Sequence, residues 1–272
     1  MAPLYFGHVA TSSPSRSGTT HLTVETILQG EGWDKGWNQM LRIAGNCAAV
    51  TEGSFGVPDG VSSGQSGVGL VIDFCGLAAK NSSFPVEFVY PSVTAIVPAS
   101  IALIHGARNA EAGKRSFHPV HAFRRRADAA IGQVDQPPAG GAVDVRQGPC
   151  GLSQSVHRRY QGEMNFDSDL SESRYCLGSS LFDQIITFRH KELVAATKAI
   201  HDAEKRMEAN ANARLDEART AAQTRDKTLL ALFNADKKDP AATVRRTKVE
   251  EKWAQKVKAN YAKAAELASA AK

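Results

Sequence analysis

The sequence predicts an α/β fold followed by a long α-helical C-terminal extension, and three observations support this prediction. Residues 22–43 place apolar side chains at helical intervals. The run "GVGLVIDF" (67–74) is short, apolar and bounded by glycine, as buried strands are. From residue 163 the chain is rich in Ala, Lys and Glu and contains very little Gly. Helices that alternate with buried strands favour a mostly parallel sheet.

Composition divides the 272 residues into three segments. Residues 1–112 are Gly-rich, apolar and lightly charged, which indicates an α/β body. Residues 113–162 are rich in Arg, Gln, Pro and Gly without any clear period, so we expect an insert of low order. Residues 163–272 form the helical extension, whose first part we expect to pack on the body.

The body should contain a helical region interrupted at "QGEGWDKGW" (29–37) and then two strands. We expect the strands near 69–73, within the apolar run, and near 87–90, within the alternating "FPVEFVYP". The helical pattern consists of Leu22, Ile27, Leu28, Trp37, Met40, Leu41 and Ile43.

The extension carries its own start signals. Asp169 and Glu172 resemble a capping box, and the pair Asp239–Pro240 should begin a last helix that runs to about Ala271. The first part has one apolar stripe, formed by Leu181, Ile185, Phe188, Leu193 and Ala196. The last part lacks the sustained Leu or Ile at heptad positions that coiled-coil dimers need.

A run of small hydroxyl residues precedes the first helical pattern. Helix starts leave backbone N–H groups unpaired and carry partial positive charge, so they attract anions. The ordinary alternative is a plain N-cap, because Ser and Thr are preferred caps. The candidate binding residues are Ser15, Ser17, Gly18, Thr19 and Thr20, with the charge of Arg16 beside them.

Several classes of function lack support in the sequence. "GVSSG" (60–64) matches a nucleophile-elbow pattern, but the strand follows the serine instead of preceding it. Phosphate-loop motifs, metal-ligand spacings and paired cysteine motifs are absent, so neither an enzyme nor a cofactor or metal site is expected. The net charge of +5 and the run "RRR" (124–126) suggest nucleic-acid binding as a hypothesis. The run lacks the interleaved aromatic residues that such binding uses, which argues against it. Neither a transmembrane segment nor a signal peptide is expected.

Four stretches together resemble extracellular solute-binding proteins of ABC importers. They are "HVATSSPSRSGTTHLTVETILQGEGWDKGW", "SFGVPDGVSSGQSGVGLVIDF", "FPVEFVYPSVTAIVPASIALI" and "MNFDSDLSESRYCLGSSLFDQIITFRHKEL". The resemblance is to the second lobe of the type 2 periplasmic-binding fold, in the ferric or phosphate-ester uptake branch. It implies a ligand held in a cleft between two lobes, a membrane permease as partner and a periplasmic location. It also implies that the Ser/Thr-rich loop meets the anionic group of the ligand.

The resemblance also bears on the type of ligand. Ferric-binding relatives coordinate iron with adjacent tyrosines near the position of "VIDFCG", where this chain has Phe74 and Cys75. Neither side chain suits a hard, oxygen-preferring ion. Asp73 could accept hydrogen bonds from a ligand, or it could cap a helix over "GLAAKN". We therefore expect a small anionic solute, such as a phosphorylated or organophosphonate compound, rather than directly bound iron.

Two departures from the family pattern make an alternative worth keeping. The chain begins almost at the hydroxyl-rich loop, without the leader and first lobe that the resemblance implies, so as encoded it would be cytoplasmic. Residues 113–162 do not resemble the family, although codons can be chosen so that a frame shifted by one nucleotide spells family-like text. We hypothesise a pair of compensating frameshifts near residues 113–116 and 162. The alternative function is a non-binding remnant or a helical interaction protein.

Overall fold

The computed structural model describes residues 3–95, 97, 106, 108–109, 164–206, 233 and 240–270. A short 3₁₀ turn, Pro3–Tyr5, precedes the first strand. Contacts divide the chain into two compact units, residues 1–71 with 167–272 and residues 72–166. The predicted insert at 113–162 lies outside the described residues, as does Asp239.

Helices α1 (Gly18–Glu31) and α2 (Trp33–Gly45) form the helical region that the apolar periodicity predicts. The interruption is a single residue, Gly32, whose φ of 83° lies in the left-handed region that favours glycine. Most of the predicted apolar positions enter the core, namely Leu28, Trp37, Met40, Leu41 and Ile43, while Ile27 packs against it.

A small parallel sheet lies beside these helices, as the α/β prediction requires. Its strands are β1 (Val9–Ser12), β2 (Cys47–Thr51) and β3 (Val68–Gly69), in the order β2-β1-β3. The central strand β1 is buried along its whole length, and a bulge interrupts its pairing with β2 between Val9 and Ala10. Helix α3 (Gly56–Ser62) connects β2 to β3. The described architecture is therefore mixed α/β, mostly helical with a small parallel sheet.

The strand predicted at 69–73 is present only at its first residue, and the strand prediction at 87–90 is wrong. Strand β3 ends at Gly69, and helix α4 (Asp73–Asn81) begins where the first strand was expected to end. Residues 87–90 form no strand, because their side chains pack along α4 instead. The Phe88 ring lies against Gly76, and Lys80 Nζ pairs with Glu87 Oε2 at 3.0 Å.

The extension contains helices α5 (Ser168–Ile185), α6 (His190–Arg206) and α7 (Pro240–Ala270). Pro240 is the first residue of α7, as predicted. Asp169 does not cap α5: the cap is Asp167, whose Oδ1 accepts a hydrogen bond from Leu170 N at 2.9 Å. Phe188 does not join the apolar stripe, because it lies in the 3₁₀ turn Thr187–Arg189 and is 53% exposed.

The extension and the first 71 residues share one hydrophobic core. Helix α5 packs against α1, α6 against α2, and α7 against α5 and α6. Tyr261 of α7 is fully buried and its hydroxyl donates to Ile185 O at 2.6 Å. Among the described helices, none combines the length and apolar character needed to cross a bilayer.

Candidate functional site

The candidate site is the segment that connects β1 to α1. Arg16 N donates to Ser13 O at 3.1 Å, which closes a turn directly after the strand. Ser17 has extended backbone angles (φ −144°, ψ 110°), and its Oγ accepts the amide of Thr20 at 3.1 Å. The helix is therefore capped by a serine, in the way that the hydroxyl-rich sequence predicts.

Two of the hydroxyl residues are used inside the protein. Ser17 and Thr20 are buried, and Thr20 Oγ1 donates to Ser17 Oγ at 3.0 Å. The proton of Thr20 is therefore engaged with the cap. These two residues stabilise the start of the helix from within.

The amides of Gly18 and Thr19, unlike that of Thr20, have no hydrogen-bond acceptor among the described residues. This is the normal state of the first N–H groups of a helix. Gly18 is exposed, and no atom lies within 4 Å of the place where its Cβ would be. An anion can approach these donors and the positive end of the helix dipole without moving a side chain.

Ser13 fixes the direction of a hydrogen-bond chain that ends at Ser15. Ser13 Oγ donates to Asp183 Oδ1 at 2.6 Å, since a carboxylate oxygen only accepts. Its two lone pairs then face Ser15 N at 3.2 Å and Ser15 Oγ at 2.8 Å. A hydroxyl has a single proton, so Ser15 must donate in the last contact. The exposed Ser15 hydroxyl therefore presents lone pairs outward, and not the proton that a contact to an anion would need.

Among the described residues, the side chain of Arg16 is held only by a weak ion pair. Its Nη1 lies 3.9 Å from Glu52 Oε1, and both side chains are strongly exposed. Such pairs are screened by solvent and contribute little to stability.

The buried face of α1 anchors the site to α5. His21 Nε2 lies 3.0 Å from Ser171 Oγ, and burial lowers the pKa of this histidine. One turn further, Glu25 Oε2 lies 3.6 Å from Arg174 Nη1, and burial raises the pKa of the carboxyl. His21, which flanks the loop in sequence, thus belongs to the helix interface and not to the exposed segment.

Asp73 lies in the other compact unit, residues 72–166. It is exposed at the first position of α4, after the capping residue Ile72, and not at the end of a strand. Its Oδ1 accepts from Phe74 N at 2.7 Å and its Oδ2 from Tyr90 Oη at 3.1 Å. A ligand hydroxyl would have to compete with these internal donors.

Sequence reasoning missed Asp183, which sets the direction of the hydrogen bonds around Ser15. It lies 170 residues from Ser13, so no local pattern could connect the two. Thr187 Oγ1 donates to the same carboxylate oxygen at 2.7 Å, which helps to hold it in place. Among the described residues, no cluster of His, Cys, Asp and Glu is arranged to hold a metal ion.

Comparisons with known proteins found one matching family model and two curated relatives. Residues 1–115 match the family model described as bacterial extracellular solute-binding protein. Two curated relatives, the phosphoglycerate transport regulatory proteins PgtC of Salmonella typhimurium strain LT2 and of Salmonella typhi, are each 33% identical over 209 residues. That alignment covers 75% of this chain and 50% of each relative, so the chain spans about half the length of these relatives. No solved structure matches significantly. The similarity to bacterial extracellular solute-binding proteins thus covers residues 1–115 of the chain.

Proposed function

We propose that this protein is the solute-binding component of an ABC importer for a small phosphorylated or phosphonate anion, and that it binds its ligand without transforming it. The supporting observation is the exposed start of α1, where the Gly18 and Thr19 amides have no acceptor among the described residues. The family match supports a solute-binding role, and the phosphoglycerate-related name of the relatives supports this class of ligand. A type 2 periplasmic-binding fold, a membrane permease as partner and a periplasmic location belong to this proposal.

The anionic group of the ligand lies at the helix start in this proposal. The Gly18 and Thr19 amides donate to its oxygens, the Thr19 side chain lies beside them, and Ser17 with Thr20 holds the turn. Asp73 remains a predicted contact to a ligand hydroxyl or amino group.

The orientation of the Ser15 hydroxyl further limits the kinds of ligand that fit the site. Its outward lone pairs match a hydrogen-bond donor, such as a hydroxyl group, and not a phosphate oxygen. Ser15 and Gly18 are three residues apart, so their Cα atoms lie no more than about 11 Å from each other. A short molecule that carries both an anionic group and a hydroxyl can therefore meet both. A phosphorylated hydroxy acid has this combination.

Gly18→Pro tests the amide contact. Proline is favoured at the first helical position and lacks an N–H, and the extended backbone of Ser17 is compatible with a following proline. We expect calorimetry with 3-phosphoglycerate to show binding weakened about three- to tenfold, since one hydrogen bond to a charged group is lost from an exposed site.

Gly18→Ala is the matched control, because it keeps the amide and adds a Cβ into open space. It should bind like the unmodified chain. Equal affinity of the proline and alanine variants, or no detectable binding by the unmodified chain at ligand concentrations well above millimolar, contradicts the proposal. The second result would favour the helical interaction protein.

A further inference from the structure

The last helix, α7, carries a row of cations on the face turned away from the protein. Lys248, Lys252, Lys256 and Lys263 are all exposed and follow one another at intervals of four, four and seven residues. This spacing keeps them on one side of a helix. Exposed Arg245 extends the row by one turn. The opposite side of α7 enters the core through Trp253, Val257, Tyr261, Ala264 and Ala268.

The four lysines have no ion-pair or hydrogen-bond partner in the part of the chain that the structure describes. Like charges four residues apart on a helix repel each other, so this row does not stabilise α7. The carboxylates of the helix do not neutralise it: Glu250 is half-buried and accepts from Ser180 Oγ at 2.5 Å. Glu251 lies to one side of the row, and Glu266 lies beyond its end.

The shape and chemistry of this face limit the partner that it fits. From Arg245 to Lys263 the row is about 27 Å long, at the rise of a regular helix. Between the lysines the face carries Gln255 and Ala259, without a large apolar side chain or a groove for a peptide. It also lacks the exposed aromatic residues on which bases stack. A straight, convex row of ammonium groups is complementary to an extended, flat surface of negative charge.

We propose that this face of α7, defined by Lys248, Lys252, Lys256 and Lys263, rests on the anionic headgroups of a phospholipid membrane. Lysines near such a surface each add to the attraction, which falls off within a Debye length of roughly 8 Å. The contact is electrostatic and reversible, because the face has no large apolar side chain between its lysines to insert. It is independent of the ligand site on α1 and would hold the protein close to a membrane-embedded partner.

The test measures co-sedimentation of the full 272-residue chain with vesicles. We expect binding to mixed phosphatidylglycerol and phosphatidylcholine vesicles, loss of that binding in high salt, and no binding to pure phosphatidylcholine. Replacing Lys248, Lys252 and Lys256 together by Glu should weaken binding about tenfold or more. The same three changes to Gln, which remove charge without adding negative charge, should give a smaller loss.

A matched control changes the same number of exposed lysines away from this face, namely Lys35, Lys191 and Lys258 to Glu. It alters the net charge equally and should retain clearly more binding than the Lys248, Lys252 and Lys256 variant. Equal losses in the two triple variants, binding that persists in high salt, or no binding by the unmodified chain overturns the proposal. Tighter binding to duplex DNA than to the vesicles, with the same dependence on these lysines, overturns the assignment to a membrane.

Discussion

Glu25 is 1% exposed, so its protonation is coupled to the stability of the fold. Its Oε1 has no hydrogen-bond partner among the described residues, while Oε2 faces Arg174 and Gln29. Burial raises the pKa of this carboxyl above its ordinary value of 4.5. Folding therefore favours the protonated form. The stabilising contribution is fully present below the unfolded pKa and is lost as the pH rises through the folded pKa.

Replacing Glu25 by Gln should remove this dependence. We expect the unmodified chain to gain stability relative to the variant as the pH falls toward 4.5. The measurement is the difference between their free energies of unfolding in urea. His21 and His190 have the opposite effect, because burial lowers their pKa and protonation below pH 6.5 destabilises the fold. Both histidines are present in both proteins, so their effect cancels in the difference. A difference that does not change with pH contradicts this assignment.

At the scale of single residues, the sequence predicts features that depend on near neighbours. A Ser/Thr cap at the start of α1 and a proline at the start of α7 follow from local backbone chemistry alone. The proton direction at Ser15 does not, because it depends on Asp183 on a distant helix. The burial of Glu25 is equally a consequence of packing between α1 and α5.

Helices α2 and α6 approach closely at Gly45, the last residue of α2. A Cβ at this position would overlap Thr197 Oγ1 and lie 3.1 Å from Thr197 Cβ. Gly45→Ala should therefore destabilise the protein by about 1–3 kcal/mol, measured as a lower urea midpoint.

Gly178→Ala is the control within α5, since no atom lies within 4 Å of its Cβ position. It should stabilise the helix by about 0.5–1 kcal/mol, because alanine has the higher helix propensity. A shift of the urea midpoint in the same direction for both variants would contradict the close contact between α2 and α6 at Gly45.

At the scale of elements, the sequence predicts the long helices better than the strands. Apolar periodicity over 22–43 is long enough to identify α1 and α2. The alternation in 84–91 fits a strand equally well, but there Phe88 packs on Gly76 and contacts Tyr90 edge-to-face at 4.8 Å. Packing against a helix produced the same alternation that pairing in a sheet would have produced. The break at Ile186 between α5 and α6 has no Gly or Pro to announce it.

At the scale of the whole molecule, the first 71 residues and the last 106 form one compact unit. Composition separates these segments, although their buried side chains meet in a single core. The family match ends at residue 115, close to where the anomalous composition of 113–162 begins. The frameshift hypothesis stays a prediction, which sequencing the DNA of the locus would test directly.

The affinity of the chain for its ligand should be low, because the described site consists of a single exposed helix start. A single exposed helix start contributes roughly 0.3–1 kcal/mol to binding an anion. A millimolar dissociation constant requires about 4 kcal/mol. We therefore expect the 272-residue chain alone to bind 3-phosphoglycerate no more tightly than millimolar, and a protein of the relatives' full length to bind it more tightly.

A residue-resolved NMR titration of the ¹⁵N-labelled chain with 3-phosphoglycerate tests the central claim most directly. The account predicts that the amide resonances of Gly18 and Thr19 shift most and follow a single millimolar binding curve. It also predicts a smaller response to 3-phosphopropionate, which lacks the hydroxyl that Ser15 would accept from. Unchanged Gly18 and Thr19 resonances at saturating ligand, or a micromolar curve centred on other residues, would contradict it.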